Sequence, residues 1–315
     1  MKVNVIARRE VATDICVLDL SHPEGKALPP FSAGAHIDVQ LRDGLVRQYS
    51  LCNPPSETHI YRIGVLRDPN SRGGSIAMHA LAEGDTVEIG EPRNHFPLTY
   101  DAGHSILLAG GIGITPILCM AEQLLNVGTS FEMHYGTREP SRTAFRDRLS
   151  EPDIRSYVHM YHDCAPASER LDLKRILSFP KATTHLYVCG PAGFIDAVLN
   201  ETAARGWNPA NVHREYFGVG AVAKQVNSCF QVRLASTGKL IEIAAHETVV
   251  QALASQGVDI PTSCEQGVCG TCLTRVLAGQ PDHRDMYLTD EERAANDQFL
   301  PCCSRSRSPT LTLGL

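Results

Sequence analysis

Residues 105–116 read Ser-Ile-Leu-Leu-Ala-Gly-Gly-Ile-Gly-Ile-Thr-Pro. The nearly all-apolar run 105–109 suits a strand covered on both faces. A glycine turn follows, and Pro116 sits comfortably where a helix begins. A glycine-rich turn between a buried strand and a helix can present backbone N–H groups to a diphosphate. The turn is not the dinucleotide fingerprint, because Pro116 stands where a third glycine belongs. Taken alone, it reads equally as a plain tight connection.

On the C-terminal side, strands and helices alternate. Helices are expected at 117–125, 144–149, 171–177 and 193–205, and strands at 131–135, 158–162, 186–189 and 212–217. That alternation predicts a parallel sheet with helices on both faces. A second strand-end turn, Cys189-Gly190-Pro191, lies in this stretch. The carboxyl ends of such strands line the ligand crevice. On the N-terminal side the pattern changes to short strands at 4–7, 15–20, 36–40, 47–51, 61–66 and 86–90. Pro/Gly/Asp clusters separate them, which predicts an antiparallel β-barrel or sandwich. One helix, 75–81, interrupts them.

Two motifs in the barrel region carry chemistry. In Arg47-Gln48-Tyr49-Ser50, an aromatic ring can lie against an isoalloxazine while Ser and Arg make polar contacts. In Arg72-Gly73-Gly74-Ser75, Ser75 can cap the helix, the glycines open the backbone, and Arg72 brings a fork of donors. The second motif is a phosphate cradle, or simply a capped helix after a loop.

Beyond a small-residue linker at 218–226, short strands at 230–234 and 240–243 and a helix at 249–256 lead into a cysteine-rich loop. Three domains are therefore expected: 1–101, 102–223 and 224–315. Six of the 11 cysteines (Cys229, Cys264, Cys269, Cys272, Cys302 and Cys303) lie in the last segment. Cys264, Cys269 and Cys272 form C-x4-C-x2-C, with further cysteines far downstream. This is plant-type 2Fe–2S spacing. Structural zinc usually needs two C-x2-C knuckles, and one is present. Gly267, Gly270 and Thr271 keep the loop small enough to aim its thiolates inward. Either Cys302 or Cys303 is the fourth ligand, since adjacent side chains of an extended segment point to opposite faces. The other cysteines read as core or half-buried residues.

The composition, 43% hydrophobic and 20% charged, excludes a disordered or collagen-like chain. A net charge of −6 offers no footprint for nucleic acid or an anionic membrane. No apolar run nears the roughly 18 residues of a membrane span. The first twenty residues alternate as a strand does rather than as a signal peptide does. A cytoplasmic protein with reduced thiols is expected, not a disulfide framework. The 13 histidines show no metal spacing.

RQYS, RGGS, GGIGITP, CGP and C-x4-C-x2-C…C occur in this order, joined by EYFG (215–218), DHRD (282–285), LTDEER (288–293) and CCSR (302–305). Over essentially its whole length the chain resembles the oxygenase-coupled reductases typified by phthalate dioxygenase reductase. The resemblance implies an FMN-binding β-barrel, a ferredoxin-NADP-reductase-like nucleotide domain and a C-terminal 2Fe–2S ferredoxin domain. It also implies electron flow from NADH through FMN and the cluster to a Rieske non-haem iron oxygenase. A haem-thiolate monooxygenase or a phthalate-type dioxygenase is the alternative acceptor. Arg47, Gln48, Tyr49, Ser50 and Val65 match flavin contacts, and Arg72, Gly73, Gly74 and Ser75 match the FMN-phosphate loop. Gly111, Gly113 and Thr115 match the nicotinamide loop, and Cys189, Gly190 and Pro191 match the second nucleotide turn. Arg138 and Asp163 follow strands and are candidate pyrophosphate and ribose contacts. Thr115, Ser50 and Phe217 are the implied residues at the reacting rings, Phe217 covering the flavin. Cys264, Cys269, Cys272 and Cys302 match the cluster ligands, Cys302 because the ligand precedes the Ser-Arg pair by two residues. No Arg pair marks a 2′-phosphate site, which favours NADH. A monomer is expected.

Overall fold

The computed structural model describes residues 1–69, 71, 73–218 and 227–315. Arg72 and the expected join at 223/224 lie outside the described residues. The chain divides by its internal contacts into Met1–Phe217 and Gly218–Leu315.

The first unit opens with strands β1 (Lys2–Ala12), β2 (Ile15–Ser21), β3 (His36–Gln40), β4 (Val46–Ser50), β5 (Tyr61–Leu66) and β6 (Thr86–Ile89). They form one sheet in the order β4-β3-β6-β1-β2-β5, every pair antiparallel. Its two edges meet: Leu51 bridges Ile63, and the Cys52 N–H donates to the Arg62 carbonyl at 2.9 Å. Closure removes the exposed edges and makes the expected barrel. β2 is buried almost throughout, including Asp19, whose carboxylate takes ion pairs from Arg9 (2.9 Å) and Arg62 (2.7 Å). Helix α1 (Gly74–His79) follows β5.

A parallel sheet comes next: β7 (His104–Gly110), β8 (Phe131–Thr137), β9 (Val158–His162), β10 (Thr184–Gly190) and β11 (Val212–Tyr216), in the order β11-β10-β7-β8-β9. Its helices are α2 (Ile114–Val127), α3 (Arg146–Leu149), α4 (Leu173–Ile176) and α5 (Ala192–Ala204). The helices expected at 144–149 and 171–177 shrink to about one turn. α2 instead starts earlier than its apolar period suggested, taking Thr115 and Pro116 into its first turn. It ends at Gly128, whose positive φ of 70° lets its N–H reach back to Leu124 and Leu125. Ile15, Ala33, Phe96 and Leu98 share one core with Leu107, Ile117 and Tyr187, so apolar packing runs from barrel to parallel sheet.

The second unit contains β12 (Phe230–Leu234), β13 (Leu240–Ile243), α6 (Val249–Ser255), β14 (Thr274–Ala278), β15 (Pro281–Asp282), α7 (Asp290–Ala295), β16 (Gln298–Phe299), β17 (Arg305–Ser306) and β18 (Thr310–Leu313). Five strands form a sheet, β13-β12-β18-β14-β16, and α6 packs Val249, Ala252 and Leu253 into its core. Both helices start with reciprocal caps, Thr248 with Gln251 and Thr289 with Glu292. The LTDEER motif is thus a capping box. In CCSR, Arg305 is buried, donates to the carbonyls of Glu247, Ser228 and Ala244, and lies over the Phe230 ring. That arginine ties the cysteine segment to the sheet.

Candidate functional site

In the parallel sheet β7 is flanked by β8 and β10, so chain order reverses between β7 and β10. Ligands bind beyond the carboxyl ends of strands at such a reversal. Both glycine turns sit there. Gly113 opens α2 directly against the end of β10, and a Cβ on it would run into the Cys189 carbonyl. A Cβ on Gly190 would stand 3.0 Å from the Gly110 Cα. Gly111 adopts φ +54° in the turn. Two motifs 76 residues apart (113 and 189) therefore form one wall of backbone. Gly113→Ala is expected to wedge the wall open. Stability should fall by about 1–3 kcal/mol, as for overpacking generally, and the KM for NADH should rise. Urea unfolding and steady-state kinetics check both; no change in either would mean the turns are not coupled.

Thr115 is buried, donates to the Ile112 carbonyl at 3.1 Å, and packs its methyl against Gly64 of β5. Ser50, at the end of β4, is also buried. Its hydroxyl donates to Glu215 Oε2 at 3.3 Å across to β11. Glu215 stands in register with Cys189. Burial drives its carboxyl up from 4.5 to about 8, against the pull of the Ser50 hydrogen bond. Burial also raises the Cys189 thiol, as does the nearby Glu215 carboxylate. Ser50, Thr115, Cys189 and Glu215 thus gather where barrel and parallel sheet meet. Glu215 was absent from the expected site residues: inside EYFG nothing marks a carboxylate as buried, and only strand register reveals it.

The remaining expected residues of this unit are placed as follows. Arg47 donates to the Val46 carbonyl at 2.7 Å, and its side chain lies against Gly74. Gln48 donates to Asp38 Oδ1 at 3.0 Å. The half-buried Tyr49 packs against the barrel core, where burial raises its hydroxyl pKa. Val65 is buried, and its carbonyl meets His79 Nε2 at 3.0 Å. Ser75 does not cap α1; Gly73 holds that position with φ 98°, and the Ser75 hydroxyl accepts from the Asp68 N–H instead. The cap needs a left-handed residue here, which serine disfavours. Arg138 and Asp163 are exposed at the ends of β8 and β9, where the Asp163 N–H donates to the Thr137 carbonyl at 3.0 Å. Pro191 caps α5, and Phe217 follows β11 with 41% of its surface exposed. Cys164 and Cys229 are exposed rather than core residues.

In the second unit the four expected ligands come together as two pairs of neighbouring thiols. Cys264 lies beside Cys269, and Cys272 beside Cys302. In the first pair Cys269 is drawn down to about 5 by Cys264, whose own thiol rises. Cys302 lies at about 12, pulled down by Cys272 and pushed up by Cys303 and burial. Among the described residues, no three His, Cys, Asp or Glu side chains gather as a single metal ion requires. Two thiols on each of two irons is the arrangement a binuclear cluster needs. Backbone N–H groups favour sulfur anions: Gln266 donates to Cys264 at 3.4 Å, and Gly267 faces Cys302. Thr271 Oγ1 lies 3.2 Å from Cys269. Gly270, at φ +71°, leaves room that the Tyr287 ring fills. The donor set and its amides fit a 2Fe–2S cluster. Residues 300–304 are not extended as expected. Cys303 and Ser304 N–H both donate to the Leu300 carbonyl, which folds the segment into a turn.

Residues 232–307 match the description "2Fe-2S iron-sulfur cluster binding domain", and residues 107–200 match "Oxidoreductase NAD-binding domain". The chain is 50% identical over 313 residues to the vanillate O-demethylase oxidoreductase of Pseudomonas putida, covering 99% of this chain and 98% of the relative. It is 41% identical to phthalate dioxygenase reductase of Burkholderia cepacia, covering 100% and 97%. A solved phthalate dioxygenase reductase, described as a modular structure for electron transfer from pyridine nucleotides to [2Fe-2S], superposes with a TM-score of 0.79 at 41% identity, covering 100% of this chain and 98% of that one. An intact type IV self-sufficient cytochrome P450 monooxygenase matches with a TM-score of 0.84 at 39% identity, covering 100% of this chain and 41% of that one. No helix among the described residues is long and apolar enough to cross a membrane.

Proposed function

The chain belongs to the phthalate dioxygenase reductase family, and from that premise we propose that it is a cytoplasmic, monomeric NADH:acceptor oxidoreductase serving a Rieske non-haem iron oxygenase of the vanillate O-demethylase kind. The observation carrying this reading is that two sequence-distant glycine turns, a buried Ser50–Glu215 pair and two thiol pairs coexist in one chain.

Arg47, Gln48, Tyr49, Ser50 and Val65 would hold the flavin, with Arg72, Gly73, Gly74 and Ser75 at the FMN phosphate. Gly111, Gly113, Cys189, Gly190 and Pro191 would seat the nicotinamide nucleotide, with Arg138 on its pyrophosphate and Asp163 on a ribose. Thr115 and Ser50 would flank the reacting rings, and Phe217 would cover the flavin. Cys264, Cys269, Cys272 and Cys302 would hold the cluster. Bound there, FMN supplies hydride acceptance and single-electron release, and the 2Fe–2S cluster supplies a one-electron relay. The protein itself positions these groups. The wall at Gly113 brings backbone close to the nucleotide, and buried Thr115 fixes its edge against the barrel. The neutral Glu215 carboxyl keeps the Ser50 hydroxyl oriented without adding a charge. A plant-type cluster near about −400 mV and a Rieske centre at about −150 mV or above differ by about 250 mV, roughly 6 kcal/mol downhill.

The purified protein is expected to carry FMN, acid-labile sulfide and iron–sulfur absorbance, and to reduce cytochrome c with NADH. Stoichiometric zinc without sulfide would sink the reading. A second acceptor, a haem-thiolate monooxygenase, is supported by the similarity to the self-sufficient P450 chain. Formaldehyde release from vanillate in a mixture with a Rieske O-demethylase component, NADH and oxygen distinguishes the two.

A further inference from the structure

We propose that Asp285 is a positioning residue for the iron–sulfur centre: its buried carboxylate fastens the segment that carries Cys302 to the ligand loop, and its charge holds the cluster's reduction potential down. The inference rests on the ligand assignment above. Asp285 closes the DHRD motif and is 2% exposed. Its Oδ2 accepts the N–H groups of Tyr287 and Leu288 at 3.2 and 2.8 Å. The turn so formed lies over the ligand loop at Gly267 and Gly270. The Met286 N–H donates to the Gly267 carbonyl at 2.9 Å, and a Cβ on Gly267 would stand 3.1 Å from the Asp285 Cβ. A Cβ on Gly270 would run into the Tyr287 ring. The other carboxylate oxygen faces the fourth-ligand segment. Ser304, two residues after Cys302, donates to Oδ1 at 3.4 Å and accepts the Arg284 N–H at 3.1 Å. Two ligand-bearing segments far apart in sequence thus meet on one side chain.

Asparagine closes a turn of this kind as well as aspartate does. What asparagine lacks is the charge. The Arg293 guanidinium lies 3.8 Å from Oδ2 with its side chain 30% exposed, so it offsets that charge incompletely. The potential of an iron–sulfur cluster responds to the charge around it. A charge is felt more strongly in a buried site than in water. Reduction adds one negative charge, and a fixed carboxylate beside the ligand loop opposes it. The competing reading, a turn that only shapes the chain, leaves the potential unmoved when the carboxylate becomes an amide.

The test compares Asp285→Asn and Ser304→Ala holoproteins with the parent, by redox titration of the cluster and by the rate at which a chelator bleaches it. At a fixed poise Asp285→Asn should raise the reduced-to-oxidised ratio about tenfold, about 59 mV for one electron. Ser304→Ala keeps the charge, so its potential should stay at the parent's. It loses the link to Oδ1, so it should bleach several-fold faster. An unchanged potential in Asp285→Asn overturns the proposal and leaves the ligand assignment intact, as does a parental bleaching rate in Ser304→Ala. An equal shift of potential in both variants also overturns it, because the charge is then not the cause. Should Asp285→Asn emerge without iron, the bleaching rate of Ser304→Ala decides alone. A full cluster in Cys302→Ser overturns the ligand assignment and the proposal with it.

Discussion

Cys302→Ser is expected to give a protein that folds, keeps its flavin and lacks the cluster. Iron and acid-labile sulfide should drop to near background, and NADH-dependent cytochrome c reduction should fall with them. The reason is positional. Cys302 is buried in the core of the second unit beside Cys272. Gly267 directs its N–H at the sulfur. Serine preserves volume but offers a far poorer ligand for a soft iron–sulfur site. Cys303 cannot simply slide in, because its sulfur is held over Gly267 by the turn at Leu300. Iron and sulfide analysis of the purified variant decides the matter. A full cluster in Cys302→Ser would make Cys303 the ligand.

What the sequence reveals depends on how local each signal is. The run at 105–109 marks β7, and the strands at 36–40, 61–66, 158–162, 230–234 and 240–243 end where their alternation ends. The C-x4-C-x2-C loop announces itself because ligand spacing is fixed along the chain. The last strands do not. Residues 274–278 and 310–313 are short, and β18 finds its place by pairing in parallel with β12, some 80 residues earlier. No local period encodes such a partner. Glu215 is hidden for the same reason, since its burial follows from register with Cys189 and from Ser50 on another sheet. The Ser75 cap and the extended 302–303 segment mislead because each depends on one backbone angle or turn that residue identity leaves open.

Glu215→Gln should abolish a pH dependence that the parent carries. In the unfolded chain this carboxyl titrates near 4.5; in the folded protein burial raises it to about 8. Between those values the folded state holds a proton that the unfolded state has lost. Stability is therefore fully present below pH 4.5 and declines as pH climbs through about 8. At about 1.36 kcal/mol per pH unit the whole interval amounts to on the order of 4–5 kcal/mol, a large part of the stability of an ordinary domain. Glutamine cannot ionise, keeps an acceptor for the Ser50 hydroxyl, and matches the volume. Urea unfolding of the variant should show little change from pH 7 to 8.5, above the range in which the buried His36 and His213 contribute, whereas the parent's midpoint should fall. Above pH 8 the variant should be the more stable protein. Turnover should move the other way, since the residue that orients Ser50 is then an amide with a different hydrogen-bonding pattern. Parallel stability–pH curves for parent and variant would show that Glu215 is ionised in the folded protein.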